Sequence, residues 1–307
     1  MGSEISPVVN PRQSFASRLA IFAADIKISH TVFAMPWALL SMTLAAHRTP
    51  GGLTLAMVAL ILICMVTART AAMSANRLLD AKLDALNPRT AGRAIPGGKL
   101  SARFVAAILF ASCAGFIIAC FGFQFCDRNP WPVIVSPLVL ALLCAYPLLK
   151  RFTRLCHYWL GAALGLAPIC AWVAVRGDLA WPPVVMSCAV LLWTAGFDII
   201  YACQDFQSDR QLGVVSVPAR IGIGPALWVS RFTHLLAVVA LIALAIIVPE
   251  FGGLYRAAVV IAVLLLIVEH SLVRPGDLSK VGHAFFTVNG IISLLIGLLG
   301  IADVIRH

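Results

Sequence analysis

The stretch NRLLDAKLDALNPRTAGR, residues 76–93, decides how the rest of the chain is interpreted. An α-helix places residues four apart on one face, so Asn76, Asp80 and Asp84 would stack within reach of a single ligand. The segments on either side of this stretch are mostly apolar. The stretch therefore predicts a helix that ends in a polar face with one amide and two carboxylates.

A second acidic stretch, DIIYACQDFQSDR, covers residues 198–210. At about 100° per residue, Asp198, Asp205 and Asp209 fall within roughly 40° of one another, which predicts one carboxylate stripe on a single helix. Asp80 and Asp205 are separated by the same interval as Asp84 and Asp209, and each stretch precedes a loop that contains Arg and Gly or Pro. This spacing predicts an internal repeat in which two helix ends form one shared site.

The composition is that of a helical membrane protein. Of the 307 residues, 61% are hydrophobic and 12% are charged, and the mean hydropathy is +0.96. We predict an all-α integral membrane protein with nine transmembrane helices, in two pseudo-repeated four-helix bundles around a central cavity. Residues 1–18 are expected to be a polar segment and residues 19–307 a single domain. The nine apolar segments lie at about 28–47, 53–75, 101–122, 131–149, 158–175, 182–203, 226–248, 254–273 and 284–303.

The distribution of positive charge predicts the orientation of these helices. With nine spans, the Lys and Arg residues concentrate on the side of the amino terminus, and five lie on the other side: Arg48, Arg128, Arg176, Arg256 and Arg306. This asymmetry predicts a multi-pass protein of the cell (inner) membrane, with its amino terminus and both acidic stretches in the cytoplasm. The net charge of +10 then reflects topology and anionic lipid headgroups, and we expect no nucleic-acid partner.

The residue types in the two stretches suit a metal and a phosphate. Oxygen ligands without nearby His or Cys favour Mg²⁺, which usually needs a phosphate to complete its shell. Basic side chains would neutralise the charge that develops on a departing diphosphate. Taken alone, any one of these residues is equally compatible with a solvated helix end or an ordinary loop charge. The candidate metal ligands are Asp80, Asp84, Asp205 and Asp209, and the candidate cations are Arg89, Arg93, Lys150 and Arg151.

A membrane enzyme with such a site has a natural lipid substrate. A prenyl chain can lie between the spans while its diphosphate stays at the rim, and a phenol can capture the resulting carbocation. Asp198 lies deeper in the membrane than Asp205, and it is a candidate to orient or deprotonate that phenol. Tyr201 either assists or packs at the interface.

These residues resemble the signature motifs of the UbiA-type membrane prenyltransferases, in the 4-hydroxybenzoate polyprenyltransferase-like branch. The resemblance implies a nine-helix fold with a cavity open to lipid, and Mg²⁺ bridging both acidic motifs to a polyprenyl diphosphate. It also implies prenyl transfer to an aromatic acid. The matching positions are Asn76-x3-Asp80-x3-Asp84 with Pro88-Arg89-Thr90-x2-Arg93, Asp198-x2-Tyr201-x3-Asp205-x3-Asp209, Tyr146-Pro147-x2-Lys150-Arg151, and Ser29-His30-Thr31.

The resemblance also implies roles for individual residues. It places Asn76 with the four aspartates in the metal and diphosphate shell, and Arg93, Lys150 and Arg151 on the diphosphate. Asp198 and Tyr201 lie toward the acceptor, and His30 lies where the acceptor would bind. Arg89 is expected to bind substrate.

The acceptor stays open at this point. We expect 4-hydroxybenzoate, as in ubiquinone-type quinone biosynthesis. Many members have Asn-Asp where this chain has Asn76-Arg77, and this departure keeps 1,4-dihydroxy-6-naphthoate, a menaquinone precursor, as the alternative. A non-catalytic transporter or lipid-diphosphate-binding protein is the alternative of another class, although transporters usually place charges near the bilayer midplane.

Three further polar residues precede the first motif. Asp25 and Lys27 are expected to form a solvated or snorkelling pair near the first span. Arg69 lies seven residues before Asn76, so it either lines the cavity or extends to the membrane surface.

Overall fold

The computed structural model describes residues 13–307, apart from the side chains of Ile28, Ser29, His30 and His283. Within this part of the chain the regular elements are helices, and a single β-bridge joins Arg274 to Asp277. The helices are α1 (Phe15–Asp25), α2 (Met35–His47), α3 (Leu55–Leu86), α4 (Ala102–Cys126), α5 (Trp131–Leu149), α6 (Cys156–Arg176), α7 (Trp181–Ala202), α8 (Phe206–Leu212), α9 (Val217–Ile221), α10 (Ile223–Ile247), α11 (Gly253–Leu272), α12 (Val281–His283) and α13 (Asn289–Arg306). The 3₁₀ turns Ile28–Phe33 and Cys203–Asp205 precede α2 and α8.

Eight helices of the described chain are long and apolar enough to cross a membrane. They correspond to eight of the nine predicted segments, and the first predicted segment forms the 3₁₀ turn Ile28–Phe33 and the shorter helix α2, of 13 residues. At about 1.5 Å per residue, α2 is roughly 20 Å long, which is less than the hydrocarbon thickness of about 30 Å. The chain is thus a multi-pass membrane protein, while the count of nine spans and the two-bundle layout stay predictions.

Sequence signals at the helix ends explain where the long helices begin. The side chain of Thr54 accepts a hydrogen bond from the Met57 amide at 3.1 Å, and Ser101 does the same for Phe104 at 3.2 Å. Both are N-caps, which satisfy amides that have no partner within the helix. Pro132 occupies the first turn of α5, where its missing N–H costs nothing.

Helix α3 carries the first acidic stretch as predicted. It is the longest helix, with 32 residues, and it continues beyond the apolar segment to Leu86. It ends just before Asn87-Pro88, because a proline disfavours helical geometry in the residue before it. Asp80 and Asp84 are both buried, so the polar face of α3 points into the protein.

The prediction that Asp198, Asp205 and Asp209 share one continuous helix is wrong. Helix α7 ends at Ala202, a 3₁₀ turn follows, and Asp209 belongs to the separate short helix α8. At the break, the Cys203 amide donates to the Ile200 carbonyl three residues earlier, which winds the chain more tightly than an α-helix. Asp205 is the last residue of this turn.

Small residues allow α6 and α7 to pack closely. A side chain at Gly161 would collide with the backbone of Leu191, and one at Gly165 would meet the Ser187 carbonyl. The Ser187 hydroxyl also donates to the Gly165 carbonyl at 2.5 Å. Glycines and serines at such contacts are typical of membrane helix packing. This tight pair forms one wall of the cavity described next.

Candidate active site

A cavity of about 940 Å³ is lined mainly by α3 to α7, with further residues from the end of α1, the turn before α2, the segment 205–216, and Phe285. Its lining on α3 extends from Ile61 to Asp84, which corresponds to roughly 35 Å along the helix. The inner part is mainly apolar, and its walls include Phe116, Leu142 and Leu164. The polar residues of both acidic stretches lie at the other end. The shape is that of an apolar channel with a charged mouth.

The first acidic stretch presents two buried carboxylates at this mouth. Asp80 is fully buried and forms an ion pair with Lys150, the C-cap residue of α5. Both oxygens of Asp84 accept hydrogen bonds from Arg93 Nη1, at 2.7 and 2.8 Å. Asn76 also lines the cavity. The residues that the sequence placed on one helix face therefore do lie together, each carboxylate beside a cation.

The second acidic stretch faces the first across the mouth. Asp205 accepts hydrogen bonds from Arg89 Nε at 2.8 Å and Arg89 Nη2 at 2.5 Å, and from Asn87 at 3.0 Å. Asp209 accepts one from the Ser216 hydroxyl at 2.7 Å. The partners of Asp205 thus come from the loop that follows α3. The two stretches therefore form one polar surface, while the internal repeat stays a prediction.

Arg89 connects the two stretches. Besides Asp205, its Nη1 donates to the Tyr201 hydroxyl at 2.9 Å, and its guanidinium lies 5.2 Å from the centre of the Tyr201 ring. Burial lowers the pKa of Arg89, but the hydrogen bonds and charges of Asp205 and Tyr201 outweigh it, so the pKa lies above its ordinary value. Arg89 therefore carries a permanent charge at the mouth of the cavity.

Arg151 differs from the other predicted cations. It is half-exposed, donates to the Leu79 carbonyl at 2.5 Å, and lies 4.0 Å from Asp80. It is not part of the cavity wall, whereas Lys150 beside it is. Arg151 therefore lies near Asp80 but outside the lining of the cavity. The side chain of His30, the predicted acceptor contact, lies outside the described residues.

Asp198 lies deeper in the cavity wall and has a partner that the sequence did not reveal. His157, near the start of α6, approaches Asp198 with Nδ1 at 2.7 Å from Oδ2. His157 is 3% exposed and belongs to no pattern in the sequence. Of its two hydrogen-bond partners, Asp198 and the Val217 amide, only Asp198 belongs to a stretch that the sequence singled out.

Arg69 lines the cavity, which decides between the two alternatives left by the sequence. Its Nη2 donates to the carbonyls of Ile26 and Lys27 at 3.4 and 3.1 Å, and its buried Nε has no hydrogen-bond partner among the described residues. No carboxylate of the described chain forms an ion pair with Arg69. Arg69 is therefore a cation available to a ligand.

The expectation for Asp25 is wrong, because this carboxylate is not solvated. Arg77 Nε donates to Asp25 Oδ2 at 2.7 Å, and the Ala94 amide donates to Asp25 Oδ1 at 2.8 Å. Arg77 also donates to Asn76 Oδ1 at 3.0 Å. Arg77 is the residue that stands where many members of the family have Asp. Its side chain thus links α1 to α3 and holds the Asn76 side chain in position.

The donor set at the mouth fits Mg²⁺. It consists of carboxylates, and Asp80 Oδ1 is buried without a hydrogen-bond partner, as a ligand atom would be. In the described chain the acidic side chains are not already gathered into a metal cage, because each is engaged by a Lys, Arg or Ser side chain. The residues that would hold the ion are Asp80, Asp84, Asp205 and Asp209.

Fold and site together define a helical membrane protein that gathers carboxylates and cations at the mouth of an apolar channel. The chain belongs to the UbiA prenyltransferase family, which it matches over residues 34–291. It is a prenyltransferase and resembles the 4-hydroxybenzoate polyprenyltransferase branch. This membership decides against the non-catalytic transporter.

Individual proteins support the assignment. The chain is 28% identical to a 4-hydroxybenzoate octaprenyltransferase of Vibrio campbellii over 238 residues, which cover 75% of this chain and 79% of that protein. The apo structure of a UbiA homolog from Aeropyrum pernix K1 is similar with a TM-score of 0.75 and 30% identity, covering 90% of this chain and 97% of that one. A UbiA homolog from Archaeoglobus fulgidus, bound to GPP and Mg²⁺, shares the fold with a TM-score of 0.71 at 16% identity, over 92% and 99% of the two chains.

Proposed function

We propose that this protein transfers a polyprenyl group from polyprenyl diphosphate to an aromatic carboxylic acid, with 4-hydroxybenzoate as the favoured acceptor. The observation that carries the proposal is the pairing of Asp80, Asp84 and Asp205 with Lys150, Arg93 and Arg89 at the mouth of an apolar channel. Such a mouth matches a diphosphate and its metal, and the channel matches an isoprenoid chain. The proposed setting is the cytoplasmic face of the inner membrane, with nine spans in two bundles and residues 19–307 as one domain.

The same cations that now engage the carboxylates would bind the diphosphate. Lys150, Arg89 and Arg93 would exchange their carboxylate partners for diphosphate oxygens, and Asn76 would contribute its amide. Bound Mg²⁺ would neutralise charge on the leaving diphosphate. The carboxylates of the two stretches would then be released to bind the metal. The ion pairs therefore keep both sets of groups in position before the substrate arrives.

Aromatic side chains surround the place where the prenyl carbon would react. Tyr201 and Phe285 lie with ring centres 4.3 Å apart, and Phe197 lies 5.3 Å from Phe285; all three line the cavity. The negative faces of aromatic rings attract a cation. We infer that this aromatic wall stabilises the allylic carbocation left by the departing diphosphate and keeps water away from it.

Two polar groups deeper in the wall would hold the acceptor. Arg69 would bind its carboxylate, because its buried Nε has no partner among the described residues. Asp198 would accept a hydrogen bond from its hydroxyl, which makes the ring more electron-rich. After the C–O bond to diphosphate has broken, the ring carbon forms a bond to the allylic cation, and the ring proton is then transferred to the released diphosphate. The product is the prenylated acid plus diphosphate.

A parallel transfer assay tests this proposal. Membranes containing the protein receive Mg²⁺ and a prenyl diphosphate, with 4-hydroxybenzoate and 1,4-dihydroxy-6-naphthoate offered separately. We expect product from 4-hydroxybenzoate, and loss of product in Asp205→Asn. Asp178→Asn is the matched control, because Asp178 pairs with Arg176, a residue that is not part of the cavity wall.

Each outcome of that assay decides a different point. Product from the naphthoate alone would keep the site and move the acceptor to the menaquinone alternative. Undiminished product in Asp205→Asn would refute the metal and diphosphate assignment. Transfer to neither acid would refute the proposed acceptor class.

A further inference from the structure

A buried histidine joins the two ends of the candidate active site. His157 Nδ1 lies 2.7 Å from Asp198 Oδ2, and its Nε2 lies 3.2 Å from the Val217 amide nitrogen. The imidazole thus bridges α6, α7 and the first residue of α9. Both ring nitrogens are used, and the side chain is 3% exposed, so the ring is held in one orientation.

These two contacts determine which nitrogen carries the proton. A backbone amide only donates, so Nε2 must present its lone pair to Val217. In a neutral imidazole the proton is then on Nδ1, which donates it to Asp198. A doubly protonated ring would set an N–H against the Val217 N–H. The backbone of α9 therefore selects the tautomer that makes Asp198 a hydrogen-bond acceptor from His157.

The segment that carries Val217 also touches the diphosphate end of the site. The Val215 amide donates to the carbonyl of Lys150 at 2.7 Å, and the Ser216 hydroxyl donates to Asp209 Oδ2 at 2.7 Å. Ser216 is also the N-cap of α9, where its oxygen accepts from the Ala219 amide at 3.3 Å. Three consecutive residues therefore bind Lys150, Asp209 and His157 in turn.

We propose that His157 is a positioning residue for the acceptor, which holds Asp198 so that its second carboxylate oxygen points to the acceptor hydroxyl. The inference deepens the proposed function and rests on it. His157 uses only Oδ2, so Oδ1 stays available to the substrate. Through residues 215–217, the orientation of Asp198 is tied to that of Asp209, so the acceptor site and the diphosphate site share one hydrogen-bonded frame.

Substitutions at His157 separate positioning from simple packing. His157→Leu fills the space and makes neither bond, whereas His157→Gln can donate from its amide nitrogen to Asp198 and accept at its oxygen from Val217. A hydrogen bond to a charged group contributes about 1.5–3 kcal/mol, so we expect His157→Leu to lower kcat/KM for the acceptor by about 10- to 150-fold. KM for the prenyl diphosphate should rise much less than KM for the acceptor, because Ser216 keeps its own bond to Asp209, and His157→Gln should recover most of the loss.

A double-mutant cycle with Asp198→Asn tests whether His157 acts through Asp198. If it does, His157→Leu adds no further loss to Asp198→Asn. The inference is overturned if the two losses multiply, if Gln and Leu are equally impaired, or if KM for the prenyl diphosphate rises as much as KM for the acceptor.

The nitrogen-15 NMR spectrum of the histidine rings tests the predicted tautomer of His157 without an activity assay. The His157 signals, assigned by their absence in His157→Gln, should show a protonated Nδ1 and an unprotonated Nε2, and they should shift in Asp198→Asn. A ring protonated at Nε2 would overturn the inference even in an active enzyme. If His157 has the predicted tautomer but the protein prenylates no aromatic acid, then the proposed function is wrong and the tautomer assignment is not.

Discussion

Replacing Arg89 tests the charged mouth of the cavity most sharply, because this side chain comes from the first acidic stretch and binds two residues of the second. Arg89 makes two hydrogen bonds to Asp205 and one to Tyr201, and its fork geometry suits a diphosphate equally well. Removing one preorganised donor from a reacting group typically costs about 2.7–4 kcal/mol, or 10²- to 10³-fold in rate. We expect Arg89→Ala to lower kcat/KM for the prenyl diphosphate by this factor.

Arg89→Lys should have a kcat/KM for the prenyl diphosphate between those of the native protein and Arg89→Ala. Lysine keeps the charge but donates as a point and not as a planar fork, so it replaces one of the two bonds to Asp205. We expect a loss of about tenfold, which corresponds to roughly 1.4 kcal/mol. The assay is initial rate against prenyl diphosphate at saturating acceptor and Mg²⁺.

Arg210→Ala is the matched control for Arg89. Arg210 likewise belongs to an acidic stretch, but it is exposed and is not part of the cavity wall. Its guanidinium lies 5.6 Å from the ring centre of Phe206. Its removal should change kcat/KM by less than about threefold, as expected for a surface charge. Equal losses in Arg89→Ala and Arg210→Ala, or no loss in Arg89→Ala, would refute the reasoning.

Three other perturbations follow from the same structure. Arg69→Leu should raise KM for a carboxylate acceptor by about 10-fold or more and leave KM for the prenyl diphosphate unchanged, since it removes one charge-assisted contact. Arg48 holds the pKa of Glu250 below its ordinary 4.5 by a bidentate ion pair, so its stabilisation is present above pH 4.5 and is lost as the pH falls through the lowered pKa. Gly161→Ala should lower the yield of folded protein, because its methyl group would meet the Leu191 backbone.

Each of these three has a measurement that decides it. Equal increases in both KM values for Arg69→Leu would remove Arg69 from the acceptor site. For the ion pair, melting temperature in detergent should fall on acidification in the native protein and less so in Glu250→Gln, and parallel curves would contradict the assignment. A Gly161→Ala protein as stable as the native one would contradict the tight contact between α6 and α7.

The sequence predicted which residues of α3 share a face better than it predicted their contacts. The fixed spacing of the aspartates is a local signal, and a helix of 3.6 residues per turn converts it directly into a shared face, as α3 confirms. The ion pair of Arg89 with Asp205 joins residues 116 positions apart, and no local pattern encodes such a partner. The break before α8 was missed for a related reason: apolar periodicity does not distinguish a continuous helix from one interrupted by a single 3₁₀ turn.

Buried polar residues were the hardest to predict. Asp25 looked like a surface charge because it lies just before the start of the first apolar segment, and only the fold brings Arg77 and the Ala94 amide to it. His157 gave no signal because a lone histidine in an apolar helix usually satisfies its hydrogen bonds within the core. The fold determines that its two partners are Asp198 and the Val217 amide, which follows the residue that donates to Asp209.

The central claim is that both acidic stretches together bind a metal with the diphosphate. Replacing Mg²⁺ by Mn²⁺ allows this binding to be measured by magnetic resonance. Electron–nuclear double resonance on the purified protein with Mn²⁺ and geranyl diphosphate should show strong coupling of the metal to the phosphorus nuclei. The account predicts that Asp80→Asn and Asp205→Asn each weaken this metal binding, whereas Asp178→Asn does not. Unchanged Mn²⁺ binding and phosphorus coupling in the Asp80→Asn, Asp205→Asn double variant would contradict the account.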